Sequence, residues 1–324
     1  MFNIFFSIRI FSRKGSAGEV TKVSGKFWPS DVTYYAFGNH QIDIDYLFYL
    51  LIKIDLTKLA TGVKPGINRN KVYEIEILVP SIEQQIRIVK RLKKILIKIE
   101  NIQRLRQDTI QEAKLMFTST ISQTFINNQK WIRKFLRDVA ILERGKFTPR
   151  PRNDPKYFGG NIPWIQIGDI TNKEGKYITS YSGTLNEQGL AVSKMFSAGT
   201  VVTSIAASIG TTGILDFNSA FPDSLIGIQG KEVLNDYVYY YLLYMQSHLN
   251  YIAPQVAQKN INLKILGDLE IPVPDLKEQE KIVKYLDSLS KKIKTLQDLQ
   301  EEQLRELEYL KQSTLNQAFL ENTI

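Results

Sequence analysis

Two stretches of this chain carry apolar residues at alternating steps of four and three, with no glycine or proline to interrupt them. In the first, Ile88, Leu92, Ile95, Ile99 and Ile102 mark one stripe; in the second, Ile282, Leu286, Leu289, Ile293 and Leu296 mark another. Such a rhythm is the seam of a coiled coil, so each stretch is expected to be one long helix. Upstream of each, Pro80 and Pro274 close the strand-like runs EIEILVP and LEIPVP, and Ser81 and Asp275 follow as N-caps. A helix over residues 81–127 would span about 70 Å at a rise of ~1.5 Å per residue. Both rhythms stumble at the same place. Arg106 and Thr109, then Gln300 and Gln303, take the next expected positions, and Leu105 and Ile110, or Leu299 and Leu304, are expected to take over the seam with a local change in supercoiling.

The shared stumble reflects an internal repeat. Shifted by 194 residues, GINRNKVYEIEILVPSIEQQIRIVKRL from Gly66 falls on NINLKILGDLEIPVPDLKEQEKIVKYL from Asn260 without a gap. Ile67, Asn68, Glu76, Ile77, Val79, Pro80, Gln85, Ile88, Val89, Lys90 and Leu92 meet identical residues, and STISQTF at 119–125 meets STLNQAF at 313–319. With small slips the match extends upstream, DYLFYLL (45–51) resembling DYVYYYL (236–242) and FWPSD (27–31) resembling AFPDS (220–224). Copy one starts near the counterpart of residue 193, so nothing in it matches residues 131–192.

Between the two long helices, IPWIQIGDI, GTVVTSIAASIG, TTGILDF and SLIGIQG are short runs bounded by turn residues and read as strands. NDYVYYYLLYMQSHLNYIA (235–253) has the length and apolar density of a helix. Asp43 and Asp45 precede a shorter aromatic helix and are expected in its first turn, where carboxylates complement the dipole. MFNIFFSIRIF, broken by Arg9, and DIDYLFYLLI are both too short to span a membrane, which takes about 20 apolar residues.

Composition narrows the chemistry. With 324 residues, 43% hydrophobic and 23% charged, the chain suits two globular domains and excludes a disordered or fibrous one. It has no cysteine, which removes disulfides, thiolate zinc sites and a cysteine nucleophile and fits a reducing cytoplasm. Two histidines, His40 and His248, make a histidine-rich metal centre a poor prospect. A net charge of +9 invites a polyanion or describes a merely basic surface. The first long helix carries nine cations against four anions and the second eight against ten. Opposite signs favour packing of one on the other, the alternative being that each binds another protein.

No phosphate loop, base-methylation tetrapeptide or dinucleotide fingerprint occurs. Glu174-Gly175-Lys176, with Asp154 and Asp169 upstream, is superficially nuclease-like; TNKEGK reads better as a polar turn joining two strands. Binding chemistry is richer. The stretch RGKFTPRPRNDPKYFGGNIPW (144–164) places Arg144, Lys146, Thr148, Arg150, Arg152, Asn153, Lys156 and Tyr157 on a Pro/Gly-punctuated loop. Arginine reads guanine edges bidentately, asparagine and glutamine read adenine, and lysine positions phosphates. The alternative is a solvated loop with scattered cations. PQVAQKNIN (254–262) adds Gln255, Gln258, Lys259 and Asn260, although the recurring Ile-Asn pair makes part of it structural. SIAASIGTTG (204–213), with Ser208, would approach a phosphate backbone or form a tight hairpin, and Gln166 follows the IPW strand. These are the candidate DNA-contacting residues; none is assigned to catalysis or to a metal.

The order domain, VP-x3-EQ-x2-IV helix, domain, VP-x3-EQ-x2-IV helix resembles the DNA-specificity subunit of type I restriction-modification systems. VPDLKEQEKIV (273–283) carries the motif in full; VPSIEQQIRIV (79–89) departs from it with Gln84 where copy two has Glu278. The GKFTPRP…YFGGNIPWIQIGDI stretch also resembles the start of the family's target-recognition domains. The resemblance implies an α+β chain with a partial recognition domain at 1–80, a spacer helix at 81–127, a complete recognition domain at 128–274 and a second spacer helix at 275–324, the helices forming an antiparallel coiled coil. It implies reading of split double-stranded DNA targets, docking of methyltransferase (modification) and restriction subunits, and no catalysis by this subunit. S-adenosylmethionine and ATP with Mg would belong to those partners, the protein having no cofactor and no small-molecule substrate of its own. A cytoplasmic location away from the membrane follows. The rival reading is an interaction protein that docks methyltransferase subunits without selecting DNA alone. For residues 1–80, either another chain supplies the absent half or the segment is loosely ordered; loose order is expected, because Met1 opens into FNIFFSIRIF without a capping device.

Overall fold

The computed structural model describes residues 8–12, 16–23, 28, 31–37, 39–127, 130–253 and 261–320. Its described elements begin with β1 (Ile8–Ser12), β2 (Val20–Val23), β3 (Thr33–Ala36), α1 (Ile44–Ile54), α2 (Arg69–Tyr73) and the long α3 (Ile82–Ile126). There follow β4 (Arg133–Phe135), α4 (Leu136–Val139), β5 (Ala140–Arg144), β6 (Phe158–Trp164), α5 (Ile167–Thr171), β7 (Tyr177–Ile178), β8 (Gly183–Leu185), α6 (Glu187–Ala191) and β9 (Met195–Phe196). The chain continues through β10 (Val201–Ser204), β11 (Thr212–Leu215), β12 (Ser219–Ala220), β13 (Leu225–Gly230), α7 (Asn235–Ile252), α8 (Leu263–Gly267), β14 (Glu270–Pro272) and the long α9 (Leu276–Leu320). Residues 1–110 with 297–324 form one compact unit and 111–296 the other, the division falling inside both long helices.

In the first unit a three-stranded antiparallel sheet of order β2-β1-β3 lies beside α1. Asp43 caps α1, its carboxylate accepting from the N–H groups of Asp45 (3.0 Å) and Tyr46 (2.9 Å), as the acidic start of that helix predicts. Tyr46 and Leu50 of α1 bury against Ile88, Val89, Leu92, Leu96 and Ile99 of α3 and Leu315 of α9. In the second unit a five-stranded sheet, β5-β13-β10-β11-β7, and a four-stranded sheet, β8-β6-β12-β9, accompany α7. Tyr237 and Tyr241 of α7 close on Phe125 of α3 at ring separations of 5.3 and 5.6 Å, in a core shared with Ile282 and Leu286 of α9. Burial pushes the hydroxyls of Tyr237, Tyr239, Tyr240 and Tyr241 well above the ordinary tyrosine range.

The repeat is visible in three dimensions. Strands β2-β1-β3 correspond to β11-β10-β13, α1 to α7, α2 to α8 and α3 to α9, both long helices being 45 residues. Ile67 and Ile261 are both buried, and Asn68 and Asn262 cap α2 and α8 through their side chains, so the recurring Ile-Asn pair is a helix start. The motif glutamine is a clamp. Gln85 donates to the carbonyls of Gln41 and Pro80 (both 2.8 Å) and accepts from the N–H of Asp43 at 2.7 Å. Gln279 donates to the carbonyl of Pro274 (2.9 Å), more distantly to that of Glu232 (3.5 Å), and accepts from the N–H of Leu234 at 2.9 Å. Asp43 and Leu234 are the N-cap residues of α1 and α7, so in each copy one side-chain amide ties the long helix to the aromatic one. A carboxylate in its place could not donate.

Several expectations fail for traceable reasons. LEIPVP does form β14, which pairs with β4, but EIEILVP forms no strand. A strand needs a partner, and β4 belongs to residues 131–192, the segment without a counterpart in copy one. The arginine-bearing loop ends at Tyr157, which closes a short helical turn at Pro155–Tyr157, because residues 158–164 are β6. TNKEGK joins α5 to β7, not two strands.

The seam also runs differently. In the first unit α3 and α9 are antiparallel: Leu315 shares a core with Leu92 and Leu96, while Gln103 reaches Glu308 (3.4 Å) and Arg106 donates to Gln300 at 2.8 Å. Leu105 and Leu299, expected to take over, stay 60% and 51% exposed, and Ile102 is exposed too. Polar Arg106 and Gln300 hold inward, half-buried positions, while Ile110, expected to take over from Thr109, is buried and Leu304 half-buried. Their numbers differ by the repeat offset, so equivalent residues of the two copies meet, which is the centre of a local two-fold relation.

Candidate nucleic-acid interface

The loop leaving β5 is seated on the turn at residues 221–225. Arg144 donates through Nε to the carbonyl of Asp223 (2.5 Å), Gly145 N–H to Leu225 (2.9 Å) and Lys146 N–H to Phe221 (3.1 Å). A Cβ at Gly145 would stand 2.3 Å from the carbonyl oxygen of Pro222, which restricts this position to glycine. Phe147 then anchors the loop in a small core, 5.9 Å from the ring of Tyr157, 5.7 Å from Phe158 and 5.0 Å from Trp164.

Beyond that anchor the side chains face outward but not all are free. Lys146, Thr148 and Asn153 are exposed. Arg150 folds over its own loop, donating to the carbonyls of Pro149 (2.8 Å) and Phe147 (3.2 Å). Arg152 brings Nη2 to 2.7 Å from Asp223 Oδ1, an ion contact outside hydrogen-bond alignment. Lys156 lies 3.3 Å from Asp154 and 4.9 Å over the Tyr157 ring, and the Asp154 hydrogen bond raises its ammonium. Tyr157 spends its ring inward on Phe147.

The same turn receives the second candidate loop. Ile205 N–H donates to Ser224 (3.0 Å), which brings the residues before β11 to the turn, and Ile261 N–H donates to the carbonyl of Ile205 (3.0 Å), which ties the segment entering α8 to those residues. The 205–211 connection is a tight hairpin turn between β10 and β11, with Ser204 and Thr212 hydroxyls bonded to the local carbonyls of Ala206 and Gly210 and Ser208 exposed. Gln166, exposed at the start of α5, follows β6, whose Trp164 pairs with Ala220. Its own N–H is bound by Asp169 (2.7 Å). Gln255, Gln258, Lys259 and Asn260 lie outside the described residues. The structure thus seats the Lys146–Arg152 loop and the Ser208 hairpin on one turn, with the approach to α8 bonded to the hairpin. Sequence reasoning missed Asp223 and Ser224, the residues that organise it; the only hint was that AFPDS recurs as FWPSD.

The nuclease-like residues are otherwise engaged. Lys176 is held between Asp236 (2.6 Å) and Asp287 (2.7 Å), and Tyr240 donates to Asp287 at 2.5 Å. Burial alone would lower the Lys176 ammonium, but the two carboxylates outweigh it and raise it. Glu174 faces Lys294 at 3.5 Å. Among the described residues no three acidic or imidazole groups converge as a metal site, and no helix is long and apolar enough to cross a membrane.

A family model for the type I restriction modification DNA specificity domain matches residues 3–111 and 128–305. The type I restriction enzyme MjaIX specificity subunit of Methanocaldococcus jannaschii is 29% identical over 170 residues, which is 49% of this chain and 38% of that protein. Among solved structures, a chain from work on complex assembly and conformational transition of the type I R-M system superposes with a TM-score of 0.79 at 22% identity, over 96% of this chain and 81% of that one. The HsdS subunit from Thermoanaerobacter tengcongensis gives 0.59 at 23% identity, over 96% and 80%. Both structural likenesses concern the fold.

Proposed function

We propose, since the chain belongs to the type I restriction modification DNA specificity family, that it is the subunit that selects double-stranded DNA for a type I restriction-modification complex. The recognition domain is residues 128–274, with residues 1–80 a partial second one and the two long helices as spacers. The observation that carries this reading is the seating of the arginine-bearing loop and the Ser208 hairpin on the 221–225 turn, with the approach to α8 bonded to the hairpin. Extended loops from different parts of a domain, seated on one rigid turn and rich in Arg, Lys and Asn, suit base edges and phosphates together.

Methyltransferase and restriction subunits are the partners on this reading, docking on the long helices. Apolar side chains exposed along them, Ile97, Leu115 and Met116 on α3 and Tyr285, Tyr309 and Leu310 on α9, are the contacts such subunits would cover. The chain itself performs no catalysis. S-adenosylmethionine, ATP and Mg belong to the partners, and the complex works in the cytoplasm, which the cysteine-free composition suits. The same exposed helix faces favour a second reading, an interaction protein that docks methyltransferase subunits without selecting DNA alone.

The test is methylation mapping with the cognate methyltransferase, with and without this chain. The proposal expects a discrete set of modified sites that appears only with the chain. Modification unaltered by the chain, together with the lack of salt-dependent DNA binding by it, would leave the second reading.

A further inference from the structure

Just beyond its VP motif, each long helix carries a row of cations on its solvent face. In α3 the span 87–98 holds Arg87, Lys90, Arg91, Lys93, Lys94 and Lys98 and no acidic residue. Lys93 is drawn to Asp45 (2.5 Å), and the other five are exposed. At 3.6 residues per turn those five fall within one arc of roughly 100° and run about 16 Å along the helix. The opposite face is the one that buries Ile88, Val89, Leu92, Leu96 and Ile99.

The equivalent span of α9, 281–292, repeats the arrangement with fewer charges. Lys281, Lys284, Lys291 and Lys292 are exposed, and the single acid of the span, Asp287, is taken up by Lys176 and Tyr240. Lys281 meets Glu278 at 3.1 Å, an exposed pair within one helix that water and salt screen. Three positions are cationic in both copies: Arg87 with Lys281, Lys90 with Lys284 and Lys98 with Lys292. No other exposed position of the α3 span keeps its character, since Arg91 meets Tyr285, Lys94 meets Ser288 and Ile97 meets Lys291. The helices as wholes carry opposite net charge, so the recurrence is local. In the second unit the row stands exposed although the 173–177 turn packs beside it, Lys176 on Asp287 and Glu174 on Lys294.

We propose that these two stripes, one in each unit, hold the phosphate backbone of double-stranded DNA, adding contacts that read no bases to those of the candidate interface. What recurs decides the ligand. Protein partners are gripped by aromatic and apolar anchors, and lysine is depleted from such interfaces. On these stripes no exposed apolar position recurs; only charge does. A duplex carries about one negative charge per 1.7 Å of its axis, so a row of flexible cations about 16 Å long meets phosphates whatever the sequence. Of the apolar side chains assigned above to subunit docking, Ile97 and Tyr285 stand beside a stripe in one copy each, and Leu115, Met116, Tyr309 and Leu310 lie beyond both. The inference rests on the reading of the chain as a DNA-selecting subunit and deepens it, giving the spacer helices a share of the affinity and none of the selectivity.

The experiment titrates a fluorescent random-sequence duplex with the full chain over a range of NaCl concentrations. Three variants each lose three charges: Arg87→Gln with Lys90→Gln and Lys98→Gln; Lys281→Gln with Lys284→Gln and Lys292→Gln; and, as control, the exposed Arg104→Gln, Lys114→Gln and Arg305→Gln elsewhere on the helices. Each stripe variant should lower the slope of log affinity against log salt by about 2 to 3, at ~0.9 per lost phosphate contact, and the control by less than about 1. The charge-keeping set Arg87→Lys, Lys90→Arg and Lys98→Arg should retain the wild-type slope, which separates loss of charge from loss of fold. Stripe variants that match the control would overturn the proposal alone, and their loss of retention by the cognate methyltransferase would then assign the stripes to a protein partner. A wild-type chain without salt-dependent DNA binding would overturn both the proposal and the reading on which it rests.

Discussion

Replacing Gln279 tests whether the motif glutamine is the clamp its contacts describe. The side chain is fully buried, accepts from Leu234 N–H at 2.9 Å and donates to Pro274 at 2.9 Å. Gln279→Ala strands one backbone N–H and one carbonyl, each costing about 1–3 kcal/mol when left unsatisfied in a buried site. The expected loss is roughly 3 kcal/mol or more, of which Gln279→Met, refilling the volume, should recover only the packing part. Gln279→Glu adds a signature that packing cannot mimic. Its carboxylate would face the carbonyls of Pro274 and Glu232, so the folded state should hold the acid protonated, with a pKa above the ~4.3 of an unfolded glutamate. A raised folded pKa means that stability is present at low pH and lost as pH rises through it, so the deficit against wild type should grow from pH 5 to pH 8, by about 1.4 kcal/mol per unit of elevation. Urea unfolding followed by tryptophan fluorescence in a Trp28→Phe background, which leaves Trp131 and Trp164 of the second unit as reporters, measures it. An alanine variant within 1 kcal/mol of wild type, or a glutamate variant whose deficit ignores pH, would refute the clamp.

Replacing Arg150 and Arg152 with Ala should lower DNA affinity and cost roughly 1–3 kcal/mol of discrimination between cognate and mismatched sites; unchanged affinity and specificity in a binding titration would end their assignment as readers. Lys176 and Tyr240 both have raised folded-state values, so their contribution is present below the ordinary range near pH 10 and lost above it. The urea midpoint of the second unit should therefore hold steady from pH 7 to 9 and fall above about 10, with a shallower fall in Tyr240→Phe. A short bifunctional thiol crosslinker should join cysteines placed at 103 and 308 in the full chain, whereas efficient joining of 103 to a cysteine at 297 and not at 308 would contradict the antiparallel register. Ile99→Asp places an unpaired charge in the same core and should lower stability by several kcal/mol in thermal or urea unfolding.

The long helices were legible because their rule is local: a stripe at steps of three and four, a capping Ser81 or Asp275, and no breaker for 45 residues. Strand EIEILVP was misread because its pattern is necessary but not sufficient; whether β4 exists to receive it is decided elsewhere in the chain. Leu105 misled for a related reason, since a leucine beside an arginine is the natural choice for a seam until Gln300 is known to stand opposite Arg106. At the candidate interface the cations were readable as types, but not the turn at Asp223 that seats them, whose partners come from 79 residues upstream and from Ser204's neighbour Ile205. Gln85 and Gln279 were seen to recur, yet their task depends on N–H groups 42 and 45 residues away.

The Arg106–Gln300 contact also limits which helices can marry. A pair of identical helices crossing about a two-fold axis must set the same residue against itself at the axis. Two α3 helices from separate molecules would oppose Arg106 to Arg106, two like charges in a half-buried layer; two α9 helices would leave Gln300 facing only another amide. Only the mixed pair places a guanidinium donor before an amide oxygen, at 2.8 Å. This one layer therefore gives the chain a preference for setting an α3 against an α9 over pairing either helix with its own counterpart from a neighbour.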